Sequence, residues 1–350
     1  MVLTIALLIV GLVLIIKGGD VFVDAASWVA EKTGIPKLII GATVVSLATT
    51  LPEQLVSFMA AAGGKVDMAI GNAIGSVTVN IGLIMGIALI FLPSVVKRKE
   101  YLFQSLLMLS AALIIMLFGF SGEIGLIPSL LLIAIFVLFM ADNIKGALSA
   151  MKHNKNASPQ SGDIKALEGD MAFSVAPDAQ ISSGGSAALE VSATPAGREI
   201  ALNIAKFVFG ALALVIGSRL LVDNGSELAA LLGVSERIIA VSVVAIGTSL
   251  PELVTTITAI SKKQGALSVG NIIGANIIDL ALILPISSLI SGSALPVSSR
   301  FAMFDIPACL IIGCIAILPM LISKKFRRSQ GVVMVVLYIA YLVITTTVLG

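Results

Sequence analysis

Apolar residues fill this chain in blocks of about 20, separated by short polar breaks. Each block has the length of a membrane-crossing helix. The pattern predicts spans at about 2–18, 37–62, 68–93, 101–120, 125–146, 200–221, 237–262, 266–290, 302–323 and 331–349. The expected fold class is therefore an all-α polytopic membrane protein with ten transmembrane helices, five in each half. Between 150 and 198 the pattern changes to a polar, small-residue stretch with Lys152, Lys155, Ser182-Ser183-Gly184-Gly185 and Pro195. Such composition predicts a mobile linker. The chain divides into a first transmembrane repeat, 1–149, a linker, 150–198, and a second transmembrane repeat, 199–350.

Composition agrees. Hydrophobic residues make up 58% of the chain and charged residues 12%, about half the charge of a soluble domain. The net charge of +2 says less than its placement. Lys97-Arg98-Lys99, Lys152 with Lys155 and Lys165, Lys262-Lys263, and Lys324-Lys325 with Arg327-Arg328 all follow odd-numbered spans. By the positive-inside rule these loops are cytoplasmic. Both termini are then expected outside and the linker in the cytoplasm. The first apolar run leads into Lys17-Gly18-Gly19-Asp20 and reads as a span, not a cleaved signal. Cys309 and Cys314 read as inert core thiols.

The spans also repeat. Residues 18–83 and 217–282 align without a gap at an offset of 199. Ala48-Thr49-Thr50-Leu51-Pro52-Glu53 matches Gly247-Thr248-Ser249-Leu250-Pro251-Glu252, and Gly71-Asn72-Ala73-Ile74-Gly75-Ser76 matches Gly270-Asn271-Ile272-Ile273-Gly274-Ala275. Five spans per copy is an odd number, so the second copy enters the membrane upside down. That is the inverted-repeat plan of many secondary transporters.

Each copy places one glutamate inside an apolar span, a costly position that points to function. Thr49 and Glu53 are four apart and share a helix face. Pro52 lacks an N–H and frees a carbonyl near Ala48. Hydroxyl, carboxylate and freed carbonyls are hard oxygen ligands, suited to Ca2+ with its 6–8 oxygens and by extension to Na+. Thr248, Pro251 and Glu252 repeat the set. The same offset pairs Asn80 with Asp279, both in mid-span. Glu53, Glu252 and Asp279 would carry −3 if all ionised, so cations and protons are expected to compete for them. Gly71, Gly75, Gly270 and Gly274 suit close helix packing. Asn72 and Asn271 read equally as braces for backbone groups or as ion ligands. Asp24 and Asp223 are expected to cap or hydrogen-bond at span ends, Asp305 to cap the ninth helix, Trp28 to anchor at the membrane interface, and His153, Asp163, Glu168 and Asp170 to be solvated.

These paired motifs, together with Gly41-Ala42-Thr43, resemble the two alpha-repeats of the sodium/calcium exchangers in the calcium/cation antiporter superfamily. The resemblance implies ten spans in two inverted repeats and an antiporter exchanging Ca2+ for Na+ by alternating access. It also assigns residues. Glu53 and Glu252 would form the central Ca2+ site shared with Na+. Thr49 and Thr248, with Thr50 and Ser249 beside them, would add oxygens. Asn80 and Asp279 would complete the middle of the set, and Ser46, Ser76 and Ala245 would line outer Na+ positions. Ala275 departs from the pattern by lacking a hydroxyl, which puts the usual Na+ stoichiometry in question. Two readings stay open beside this one: the same fold coupled to H+, or to K+ with Na+, and a cation channel. Neither a nucleotide loop nor a nucleophile with its base is present, so enzymatic activity is not expected. No cofactor and no nucleic-acid partner are expected. The partners are the bilayer and the transported Ca2+ and Na+, with the protein a monomer.

Overall fold

The computed structural model describes residues 2–91, 98–156, 197–231, 233, 245–323 and 326–347. Among them, eight unbroken helices are long and apolar enough to cross a membrane. They correspond to span one, Val2–Thr33; span three, Val66–Phe91; span four, Tyr101–Gly119; span five, Leu126–Lys152; span six, Gly197–Gly225; span eight, Gly265–Ser291; span nine, Phe301–Ile322; and span ten, Arg328–Thr345. Span two is a bent pair, Lys37–Thr49 and Leu51–Ala62, with 46° between its halves. Span seven shows the matching pieces Ala245–Thr248 and Leu250–Ser261; its start falls outside the described residues. Among the described residues nine of the ten expected spans thus have a membrane-length helix or bent pair, and span seven has its second part. The 157–196 portion of the expected linker, with Asp163, Glu168 and Asp170, also lies outside the described residues, as does the side chain of His153.

The expected ends of spans one, five and six are corrected. Their helices run to Thr33, Asn156 and Leu231, ten or more residues beyond the apolar blocks. Charged residues such as Asp20 and Asp24 end an apolar block but do not end a helix, whose hydrogen bonds are all internal.

Burial separates a centre from a periphery. Spans three and eight are 72% and 78% buried over their apolar windows, whereas spans one and six are 28% buried. The centre is closed by glycines. A Cβ at Gly270 would strike the Leu38 carbonyl, one at Gly274 would strike the Ala42 carbonyl, and one at Gly41 would strike the Leu267 carbonyl. Span eight therefore lies backbone to backbone on the first half of span two. A second glycine seam joins spans one and six. A Cβ on Gly11 would stand 2.9 Å from the Gly217 carbonyl, and one on Gly210 would stand 2.9 Å from the Gly18 carbonyl. Gly11 and Gly18 plus the offset of 199 give Gly210 and Gly217, so a local dyad runs through this antiparallel crossing.

Smaller ties complete the bundle. Glu123–Ile124 pairs antiparallel with Leu295–Pro296 and joins the loops after spans four and eight. Pro319 inside span nine leaves the Ile315 carbonyl without its helical donor. Gln330 Nε2 of span ten donates to that carbonyl at 3.0 Å.

Replacing Gly270 with alanine should force spans two and eight apart and destabilise the protein by about 1–3 kcal/mol, the usual range for overpacking. Gly125→Ala, whose new Cβ has nothing closer than 3.7 Å, should be nearly neutral. Thermal loss of the monodisperse species in detergent measures both.

Candidate functional site

The breaks in spans two and seven share one backbone geometry. Thr50 has φ −81° and ψ 2°; Ser249 has φ −85° and ψ 9°. In each, a proline follows in the first turn of the next helix and a glutamate comes right after it. Proline cannot donate to the carbonyl four residues earlier, so the carbonyls of Ala48 and Gly247 lack that helical donor. Ser218 of span six donates to the Gly247 carbonyl at 2.5 Å; the matching residue in span one is Gly19, which cannot.

Glu53 and Glu252 open the second half-helices and are fully buried. Asn80 and Asp279, also fully buried, stand at matched positions where spans three and eight loosen into π-helical turns, Asn80–Met85 and Asp279–Ile283. A π turn widens the helix and is frequent at functional sites. Leu51–Ala62, which Glu53 opens, packs on Asp279–Ile283, and Leu250–Ser261, which Glu252 opens, packs on Asn80–Met85. The four side chains that the repeat singled out therefore come together at the centre of the bundle.

The two repeats brace each other across this centre. Thr49 donates to Asn271 Oδ1 at 3.1 Å, and Asn271 Nδ2 donates to Thr255 at 3.2 Å. Thr248 reaches Asn72 Oδ1 at 3.5 Å, while Asn72 Nδ2 donates to the Glu53 carbonyl at 3.0 Å and to Ser57 at 2.9 Å. Both asparagines are thus braces between repeats. Ser249 donates to Glu53 Oε1 at 3.3 Å. Its match, Thr50, turns away and donates to the Ser46 carbonyl at 2.8 Å.

What remains is a set of buried oxygens. Glu53 Oε2, both oxygens of Glu252, both of Asp279, Asn80 Oδ1, Ser76 Oγ and Thr256 Oγ1 have no hydrogen-bond partner among the described residues. Leaving buried charge unpartnered is costly, and the donors are hard oxygens that suit Na+ or Ca2+. No three Asp, Glu, His or Cys side chains converge on one metal position among the described residues. Neutral oxygens therefore have to complete any coordination shell here.

Other expected residues fall at the margin. Ser46 is buried, and its hydroxyl donates to the Thr43 carbonyl at 3.1 Å. Ala245 opens the short helix before the break; its side chain is outside the described residues. Ser57 and Thr256 were missed by sequence reading. Each lies four residues beyond a site glutamate, on the face that Thr49 and Thr248 share, and they match by the offset.

Two expectations are corrected. Asp305 does not cap a helix. It lies inside span nine, buried, where it accepts a hydrogen bond from Tyr341 at 2.8 Å and pairs with Arg300 at 3.6 Å. A segment Arg300 and Phe301 had already entered as helix needs no cap at 305. Asp24 has the polar partner expected of it, Lys262 at 2.9 Å, but lies within the helix of span one and not at its end. Cys309 and Cys314 are free thiols, the first of them buried, and Trp28 donates to Glu199 at 3.0 Å.

The chain is 35% identical over 294 residues to the inner membrane protein YrbG of Escherichia coli, covering 83% of this chain and 81% of that one. It is 29% identical to the sodium/calcium exchanger MaX1 of Methanosarcina acetivorans, covering 97% of each. Its fold superposes on the sodium-calcium exchanger NCX_Mj, in a structure soaked with 2.5 mM Na+ and 0.1 mM Ca2+, with a TM-score of 0.76 at 26% identity, over 99% of both chains. The fold is accordingly the ten-helix inverted repeat. The profile of the sodium/calcium exchanger proteins matches residues 3–144 and 202–347, which takes in both repeats, and the chain belongs to that family.

Proposed function

We propose that this protein is a secondary antiporter that exchanges Ca2+ for Na+ across the membrane by alternating access. The observation that carries the reading is the crossed set of buried, unpartnered oxygens around Glu53, Glu252, Asn80 and Asp279. Ca2+ would take the two glutamates, with oxygens of Thr49 and Thr248. Na+ would use the same glutamates together with Asn80, Asp279 and the neutral oxygens of Ser46, Thr50, Ser76, Ser249 and Ala245. Shared carboxylates make the two ions exclusive, and exclusive occupancy of one site is what couples their movements.

Membership in an exchanger family and overall likeness to two sodium/calcium exchangers support this reading. Spans one and six, peripheral and joined to each other through a glycine seam, would slide or rock against the central helices to open the site first to one side and then to the other. The protein would work as a monomer in the cell membrane, with termini outside and the segment 150–198 in the cytoplasm as a linker between repeats.

Asp279 supports a second reading. Neither of its oxygens has a partner, so it can hold a proton when no cation is near, and H+ coupling would follow.

In proteoliposomes, an outward Na+ gradient should drive Ca2+ uptake, and equal K+ or H+ gradients should not. Flux that follows only the H+ gradient would decide for the second reading. The double variant Glu53→Gln, Glu252→Gln should lose transport. Each single variant should weaken apparent Ca2+ affinity by roughly ten- to hundredfold, because a lost charged partner is worth at least about 1.5–3 kcal/mol. Unchanged uptake in the double variant would overturn the site.

Sidedness has its own measurement. A cysteine at Ser121 should react with a membrane-impermeant maleimide on intact cells, and one at Lys263 only after permeabilisation.

A further inference from the structure

The two halves of the bundle are not in equivalent positions. Span one lies closely along Leu250–Ser261 of span seven, where a Cβ on Gly19 would stand 2.7 Å from Val254. Span six only skims the matched segment of span two, Leu51–Ala62. One face of the protein is drawn together and the other is looser.

A lysine ties the drawn-together face. Lys262 Nζ stands 2.9 Å from Asp24 Oδ1 and 3.5 Å from Asp20 Oδ1, and it donates to the Asp20 carbonyl at 3.0 Å. Asp20 and Asp24 are four apart and present one helix face to it.

The matched turn, 199 residues earlier, has the same backbone and different side chains. The N–H groups of Gly63, Gly64 and Lys65 donate to the carbonyls of Met59, Ala61 and Ala60. Those of Lys262, Lys263 and Gln264 donate to Thr258, Ile260 and Ala259. Gly64 and Lys263 both take the left-handed conformation, with φ 71° and 57°. Lys262, however, is matched by Gly63, Asp20 by Arg219 and Asp24 by Asp223. Among the described residues no ion pair joins the 63–65 turn to span six. The positive-inside rule accounts for lysines in this turn. It does not account for one that reaches back to two acids on span one.

In an inverted repeat, the opposite access state is reached when the two repeats exchange conformations. The contact between 262 and 24 then passes to 63 and 223, where the glycine offers no cation; the lysine of that turn, Lys65, stands instead at the position of Gln264. We propose that Lys262 is a positioning residue of the transport cycle, a one-sided latch that favours the state in which span one lies against span seven. The proposal rests on the alternating-access reading above. The side chains of Lys262 and Asp24 are 27% and 67% exposed, so water screens the pair and its bias is roughly two- to fivefold. A small bias suits a step that must be undone in every cycle, since a state held too firmly would not be left.

The test measures distance and transport separately. In full-length protein with Cys309 and Cys314 replaced by serine, spin labels at Ile16 and Ile257 report the separation of spans one and seven. Lys262→Gln should shift populations toward the longer separation by about two- to fivefold. Asp20→Asn with Asp24→Asn should give the same shift, the triple variant no more than either, and Lys262→Arg little or none. In proteoliposomes, Lys262→Gln should lower the apparent KM for Ca2+ on the face bearing residue 262 by a similar factor, because the state open to that face is more populated, while leaving the central site intact. Unchanged distances in Lys262→Gln, or shifts that add in the triple variant, would falsify the latch. The distance measurement needs no transport. Failure of the exchange reading would instead show as absent Na+-driven Ca2+ flux in the unsubstituted protein.

Discussion

Three carboxylates sit in the middle of a membrane-crossing bundle, and among the described residues none has a cationic side chain paired with it. Charge in such a place is too costly to leave alone. It must meet a proton, a cation or polar groups brought there for the purpose. The local architecture follows from that demand. An unbroken helix uses all its own carbonyls, so spans two and seven break at Thr50 and Ser249 with a proline just beyond. Spans three and eight widen into π turns where Asn80 and Asp279 begin. The breaks would be weak points in lipid if nothing held them. Asn72 and Asn271 bond across the repeats, and the glycine contact of Gly270 and Gly274 with span two leaves no room for the broken segment to shift.

The repeats share this frame without sharing its chemistry. Ser249 bonds to Glu53, whereas Thr50 bonds back to its own helix. Asn80 is neutral where Asp279 is acidic, and Ser76 bears a hydroxyl where Ala275 bears none. The extra charge thus lies in the second repeat and the extra hydroxyl in the first. An ion at this centre meets two unlike half-sites, although the backbone around it is close to symmetric.

Much of this was legible in the sequence. Apolar blocks of membrane length gave the spans, the constant offset paired the copies, and the threonine-proline-glutamate spacing located both breaks. The same spacing rule applied one turn further, from Glu53 to Ser57 and from Glu252 to Thr256, would have completed that face of the site. Helix ends were less legible. Hydropathy marks where a helix leaves the lipid, not where its hydrogen bonds stop; the end at Thr33 is marked instead by Gly34, with φ 71°, and Pro36. The position of Asp24 and the role of Asp305 were misread for a related reason. A polar residue near the edge of an apolar block looks like a cap until a partner from a distant element, Lys262 or Tyr341, is placed beside it. The glycine seam of spans one and six was written in the chain as Gly11, Gly18, Gly210 and Gly217, but it becomes a contact only once the two helices are known to cross antiparallel.

The two glycine contacts also explain how a rigid site and a moving element can coexist. Both bring backbones together, which gives many weak, non-directional dispersion contacts. Between spans two and eight the contact is reinforced by hydrogen bonds from Thr49 through Asn271 to Thr255, so it is directional and resists sliding. Between spans one and six the buried seam is apolar, with the glycines flanked by Ile15, Phe22, Phe207 and Leu214, and the polar ties lie at one end, where Trp28 and Lys32 meet Glu199. Such a pair can stay together while shifting as a unit over the centre. With no interlocked polar contact along the seam itself, the few charged groups where this pair meets the rest of the bundle carry disproportionate weight in setting its position.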